Sequence, residues 1–271
     1  MIGHKTRILT FSYTLFIILL LLSGFFTGFL SELVYFLAFA LPIGISLFLS
    51  RGDGVEKTRY LTIDSMGVRR FLPLIFPTIS ATIVISYITS LIIFAITGKT
   101  NSVDLGDSFV IALVSHALVP ALLEEAIFRY LPLRLIAPHS PRAAIIISAF
   151  FFSLSHHDLF TIPYALVAGV MLMVVDLATE SVIPSVIIHF INNALSVSLF
   201  FVSYHPVLVM LVYGVIILLT VMSVYAIHAM KDEYEDVFYI ITDKGEGMKF
   251  TAEMAFFAVL TLAIAVMSLI S

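Results

Sequence analysis

Residues Ile8–Leu30 read ILTFSYTLFIILLLLSGFFTGFL, an apolar run without one charged side chain. It exceeds the roughly 20 residues that carry a helix across the hydrocarbon core of a bilayer. Leu33–Leu49, Leu72–Ile96 and Val207–Ile227 are runs of the same kind. Across 271 residues, 61% are apolar and only 12% are charged, where a soluble domain carries about 25% charged. Mean hydropathy is +1.11. A soluble fold of this size needs polar residues to cover its surface, and they are missing. The expected fold class is all-α, a polytopic bundle of transmembrane helices forming a single integral membrane domain over 1–271.

Nine apolar segments follow from the same reading: 8–30, 33–49, 72–96, 108–131, 143–157, 163–179, 182–203, 207–229 and 252–270. An eight-span arrangement would leave one of them, the last, lying in the interface. The polar stretches 50–71 and 230–251 are long enough to be extramembrane loops. Lys5 and Arg7 precede the first run with no small-residue cleavage signal nearby, the pattern of an uncleaved signal anchor.

Cations orient membrane helices. With the N-terminus cytoplasmic and nine crossings, Lys5, Arg7, Arg51, Lys57, Arg59, Arg69, Arg70, Arg134, Arg142, Lys231, Lys244 and Lys249 fall inside. Only Lys99 falls outside, and Arg129 lies within a span. The expected location is a prokaryotic cell membrane, with the N-terminus cytoplasmic. Segments five and six are short, so the stretch at about 143–179 can dip into the bilayer from the cytoplasm and return. The net charge of -4 is spread over loops and implies no nucleic-acid partner. The absence of cysteine removes disulfides, thiol nucleophiles and cysteine metal sites.

An ionisable side chain within a lipid-embedded helix costs at least about 2.5–3.5 kcal/mol and is by default a functional candidate. Segment four holds Glu124, Glu125 and Arg129. Glu125 and Arg129 stand one turn apart and can pair, while Glu124 points about 100° away. The plainer reading is a buried packing network. In segment seven, His189 and Asn193 share a helix face and can serve a developing oxyanion, or can simply tie two helices together. Phe152 and His156 close segment five, where a histidine can equally be interfacial. Asp176 and Glu180 read as a polar helix end facing the cytoplasm, with cavity lining as the alternative, and His116 as a helix–helix hydrogen bond.

Taken in order, E-E-x-x-x-R (Glu124, Glu125, Arg129), F-x-x-x-H (Phe152, His156) and H-x-x-x-N (His189, Asn193) resemble the motifs of the CAAX prenyl protease 2 family. This is the CPBP group of glutamic intramembrane endopeptidases, which includes bacteriocin-processing and immunity-related members. The resemblance covers about 108–203. It implies a hydrolase working inside the membrane, with water activated by Glu124 as base and held with the help of His156. His189 and Asn193 would stabilise the oxyanion, and Glu125 and Arg129 would orient and tune the base. No cofactor and no metal are implied.

The implied partners are membrane lipid and a membrane-anchored peptide cut near the cytoplasmic face. In the eukaryotic branch that peptide is the C-terminal tripeptide of a prenylated CAAX protein. His157 is an alternative to His156, and Asn192 to Asn193. Glu124 and His189 each lie about seven residues from a cytoplasmic helix end, whereas His156 falls at the far end of segment five unless that segment dips. H-E-x-x-H and G-x-S-x-G are absent, which disfavours zinc and serine chemistry. The rival reading is a non-enzymatic immunity or scaffold factor, or a proton-coupled transporter, although no internal repeat supports the latter.

Overall fold

A computed structural model describes residues 2–51, 60–98, 105–106, 108–229, 231–242 and 251–270. They form an all-α bundle without strands: α1 Ile2–Ser23, α2 Phe29–Leu49, α3 Ser65–Thr97, α4 Phe109–Leu135, α5 Pro141–Leu154, α6 Ile162–Thr179, α7 Ile183–Val202, α8 Pro206–Ala229, α9 Lys231–Thr242 and α10 Ala252–Ile270. Seven helices, α1–α4 and α6–α8, are long and apolar enough to cross a membrane. The other two apolar segments form the short helix α5 and, in α10, the short apolar stretch Met254–Met267.

Two polar stretches contain more helix than their composition suggested. The α3 helix begins at Ser65, where Asp64 Oδ1 accepts from Gly67 N at 2.7 Å and satisfies one of the orphan N–H groups of the first turn. The second stretch holds α9, whose Tyr234 hydroxyl donates to Pro73 O on α3. Lys57, Arg59, Lys99, Lys244 and Lys249 lie outside the described residues.

Small and hydroxylated residues knit the helices, as expected where lipid tails remove the usual hydrophobic advantage of packing. The hydroxyls of Ser12 and Ser46 join α1 to α2 at 2.7 Å, and those of Ser80 and Ser223 join α3 to α8 at 2.8 Å. The α5–α6 hairpin packs at Gly169, where a Cβ would stand 2.6 Å from Ala149 Cα. Only glycine permits that approach.

Hydrogen bonds join the helices at the cation-bearing end of the bundle. Arg134 Nη1 donates to Ser50 Oγ at 3.1 Å, Arg70 Nη1 to Ala178 O at 3.2 Å, and Val182 N to Tyr60 O at 3.0 Å. These bonds gather the ends of α2, α4 and α6 with the starts of α3 and α7.

Candidate active site

The site is built on α4, which is not a regular helix. Leu113–Leu118 and Ala126–Tyr130 are π-helical and flank the Glu124–Glu125 pair; such wide turns cluster at functional sites. Pro132 has no N–H to offer the carbonyl four residues back, which belongs to Phe128. That carbonyl accepts instead from Ser148 Oγ of α5 at 2.7 Å, and Ile127 O accepts from Tyr13 of α1 at 3.2 Å. Two neighbouring helices thus satisfy the backbone that the distortion frees, as a lipid setting requires.

The two glutamates occupy different surroundings. Glu125 is fully buried; its Oε2 lies 3.1 Å from Arg129 Nε, and its Oε1 accepts from His189 Nδ1 at 2.7 Å. A carboxylate paired with a guanidinium can only accept, so His189 carries a proton on Nδ1 and turns Nε2 toward Glu124. That nitrogen stands 3.8 Å from Glu124 Oε2, beyond a direct hydrogen bond. Glu124 is 21% exposed and lines a cavity of about 490 Å³ together with Phe152, His156, His189, Asn192 and Asn193.

His156 reaches this cavity from the turn after α5. Its Nδ1 donates to Phe152 O at 2.8 Å, because a carbonyl can only accept, and Nε2 is left as the free nitrogen. The turn is held by Asp158, which accepts from Phe160 N at 3.2 Å and Thr161 Oγ1 at 2.5 Å. His157, at φ 51°, is not among the cavity-lining residues. Both asparagines line the cavity, and the Oδ1 of Asn192 is within hydrogen-bond reach of Thr82 Oγ1, at 3.1 Å.

Three of the residues singled out above have surroundings the sequence does not give. Phe152 is a hub: the Arg129 guanidinium sits 4.0 Å over its ring, and its ring centre lies 4.9 Å from that of His156 and 5.9 Å from that of His189. Asp176 is not a water-facing helix end; it is fully buried, with Ser185 the polar residue set against its carboxylate. The signal was an acid inside an apolar run. His116 lines the cavity rather than bonding a neighbouring helix.

Depth also needs correction. Helix α4 continues to Leu135, placing Glu124 about 16 Å from its cation-bearing end at 1.5 Å per residue. From Glu124 the cavity runs the other way, past Tyr164 and Phe200 to Leu105. Among the described residues, no three His, Asp or Glu side chains stand in metal-holding geometry.

Fold and site together define a class: a polytopic α-helical membrane protein with a buried Glu–Arg–His network beside a second glutamate in an internal cavity. Residues 106–195 match the sequence profile of the family described as Type II CAAX prenyl endopeptidase Rce1-like, so the segment that carries the three motifs is Rce1-like. That family is one of proteases, and the match supports a CAAX-type intramembrane protease in general. No curated protein and no solved structure matches the chain.

Proposed function

We propose that the chain is a glutamate-dependent intramembrane endopeptidase acting on a membrane-anchored peptide. A single observation carries the reading: Glu124, His156, His189 and Asn193, drawn from α4, the α5–α6 turn and α7, line one cavity within a bundle of lipid-crossing helices. Glu124 takes the proton of a water held between it and His156 Nε2, and the hydroxide adds to the scissile carbonyl. His189 and Asn193 donate to the oxyanion that forms. Collapse of the tetrahedral species breaks the C–N bond, and Glu124 returns the proton to the leaving amine.

Glu125 acts through His189 rather than through Glu124. By accepting from Nδ1 it fixes the ring and leaves Nε2, the nitrogen that faces the cavity, to donate to the oxyanion. A prenylated CAAX terminus, the substrate in the family's description, suits such a site because its lipid chain can stay in the bilayer.

The test compares purified wild type with Glu124→Ala and His189→Ala on membrane-anchored reporter peptides, including a prenylated one. Both substitutions should abolish cleavage, and Glu124→Ala should leave the thermal midpoint within a few degrees. Undiminished cleavage by Glu124→Ala would end the mechanism.

A further inference from the structure

An acid buried within a lipid-crossing helix is expensive to keep, and an apolar side chain in its place avoids that cost. Asp176 on α6 has no exposed surface, and the peptidase mechanism gives it no part. Its place in the chain shows what it touches. Helix α6 ends at Thr179, Glu180 follows in the left-handed region at φ 49°, and α7 opens at Ile183. The Asp176 carbonyl accepts from Ser181 N at 3.2 Å and from Glu180 N, so its backbone closes α6. Its carboxylate is set against Ser185, in the first turn of α7.

The first turn of a helix carries N–H groups that have no partner within the helix. In α7, Ile183 N donates to Ser181 Oγ at 3.2 Å, and Pro184 has no N–H to satisfy. Val186 N already reaches Val182 O, at 3.2 Å. The Ser185 hydroxyl donates to the same carbonyl at 2.9 Å, which leaves the Ser185 N–H to the Asp176 carboxylate. One residue thus closes α6 with its carbonyl and opens α7 with its side chain. A carboxylate is also favoured at a helix N-terminus by the helix dipole.

What this anchor controls follows from helical spacing. Ser185 and His189 stand four residues apart and share a face of α7. Ser185 also lies beside Glu125, and Asp176 is close enough to Glu125 and Arg129 to feel both charges. All four of these side chains have no exposed surface. They form a closed polar layer one turn before the imidazole that Glu125 holds at 2.7 Å. We propose that Asp176 is a positioning residue for His189: by anchoring Ser185 it fixes how α7 enters the bundle, so that one turn later Nδ1 meets Glu125 and Nε2 faces the cavity. The anchor requires an acceptor oxygen at position 176 rather than a charge. A displacement of about 1 Å at a catalytic group costs on the order of a hundredfold in rate.

The proposal rests on the peptidase reading for its kinetics, and a spectroscopic measurement separates the two. Asp176→Leu should lower kcat on the reporter peptide about tenfold to a hundredfold with KM within about twofold, since substrate contacts are untouched. Asp176→Asn keeps the acceptor and should stay within about threefold of wild type, as asparagine caps helices about as well as aspartate. The control is Asp64→Ala, which removes the cap of α3 on Gly67 N, far from the site in sequence and function. It should lower the thermal midpoint and leave kcat unchanged. In chain labelled with ¹⁵N-histidine, the Nδ1–H of His189 bonded to Glu125 should give a downfield proton resonance, assigned by its absence from His189→Gln. Asp176→Leu should lose it; Asp176→Asn and Asp64→Ala should keep it. If the leucine variant does not fold, Asp176→Ala, which adds no bulk, is read in the same two assays. Wild-type kcat and an intact resonance in the leucine or alanine variant would overturn the anchor, as would an asparagine variant as slow as either. Equal losses in Asp64→Ala would reduce the effect to general loosening and overturn it too. Because the resonance needs no peptide, its selective loss supports the anchor even in a chain whose wild type cleaves nothing, a result that counts against the peptidase alone.

Discussion

Glu125→Gln is the substitution whose consequences the structure determines most closely. Glu125 and Arg129 are both fully buried and stand 3.1 Å apart, and the other Glu125 oxygen holds His189 at 2.7 Å. Glutamine preserves volume but removes the charge, leaving a guanidinium in the interior with no ion pair. Breaking one side of a buried pair costs about 3–5 kcal/mol. Loss of the charged hydrogen bond to His189 also frees the ring to change tautomer. A bond of that kind contributes about 1.5–3 kcal/mol, so cleavage should slow about tenfold to a hundredfold.

The double variant Glu125→Gln/Arg129→Met separates the two effects, because it removes the orphaned cation as well. It should recover most of the lost stability and none of the lost activity. Stability is read from equilibrium unfolding in detergent micelles, and activity from initial rates on the reporter peptide. The reasoning fails if Glu125→Gln is as stable as wild type, or if the double variant is no more stable than the single one.

Three further outcomes follow from individual contacts. Gly169→Ala drives a methyl to 2.6 Å from Ala149 Cα and should destabilise by about 1–3 kcal/mol, seen as a lowered thermal midpoint that Ala149→Gly partly restores. Ser148→Ala strips Phe128 O of its partner and should cost about 1–3 kcal/mol; a thermal midpoint equal to wild type would remove the assigned role of this hydroxyl in supporting the α4 distortion. Overnight dialysis against a chelator should leave the cleavage rate unchanged, and a loss restored by zinc would point to metal chemistry instead.

Much of the fold was legible because lipid imposes one coarse demand. Each of the nine apolar segments became a helix, and the shortness of the fifth was plain in its length. What hydropathy could not convey is how α4 is wound. A π-helical turn leaves no mark in a hydropathy profile, and Pro120 and Pro132 mark a disturbance without stating its form. The motif residues could be picked out because charges and imidazoles stand out against an apolar background. The motif names Phe152 but not what it does, since nothing in the sequence places the Arg129 guanidinium over its ring. The direction of the cavity escaped for a related reason: it depends on how several helices stand around Glu124, a property no single segment holds.

The adjacency of Glu124 and Glu125 explains why a chain hostile to charge keeps two acids side by side. Neighbouring residues on a helix point about 100° apart, so one backbone position serves two environments. Glu125 turns into the packed interior, where Arg129 holds it ionised and His189 occupies its remaining oxygen; a carboxylate so engaged cannot also accept a proton from water. Glu124 turns into the cavity, where its buried Oε2 has no hydrogen bond among the described residues and His189 Nε2 stands 3.8 Å away. Environment, not residue type, divides the labour between such pairs. Exchanging the roles would require rotating α4 by a quarter turn or more, which the Tyr13 and Ser148 hydroxyls on its freed carbonyls oppose. The distortion and its two supporting hydroxyls therefore belong to the site as much as the glutamates do.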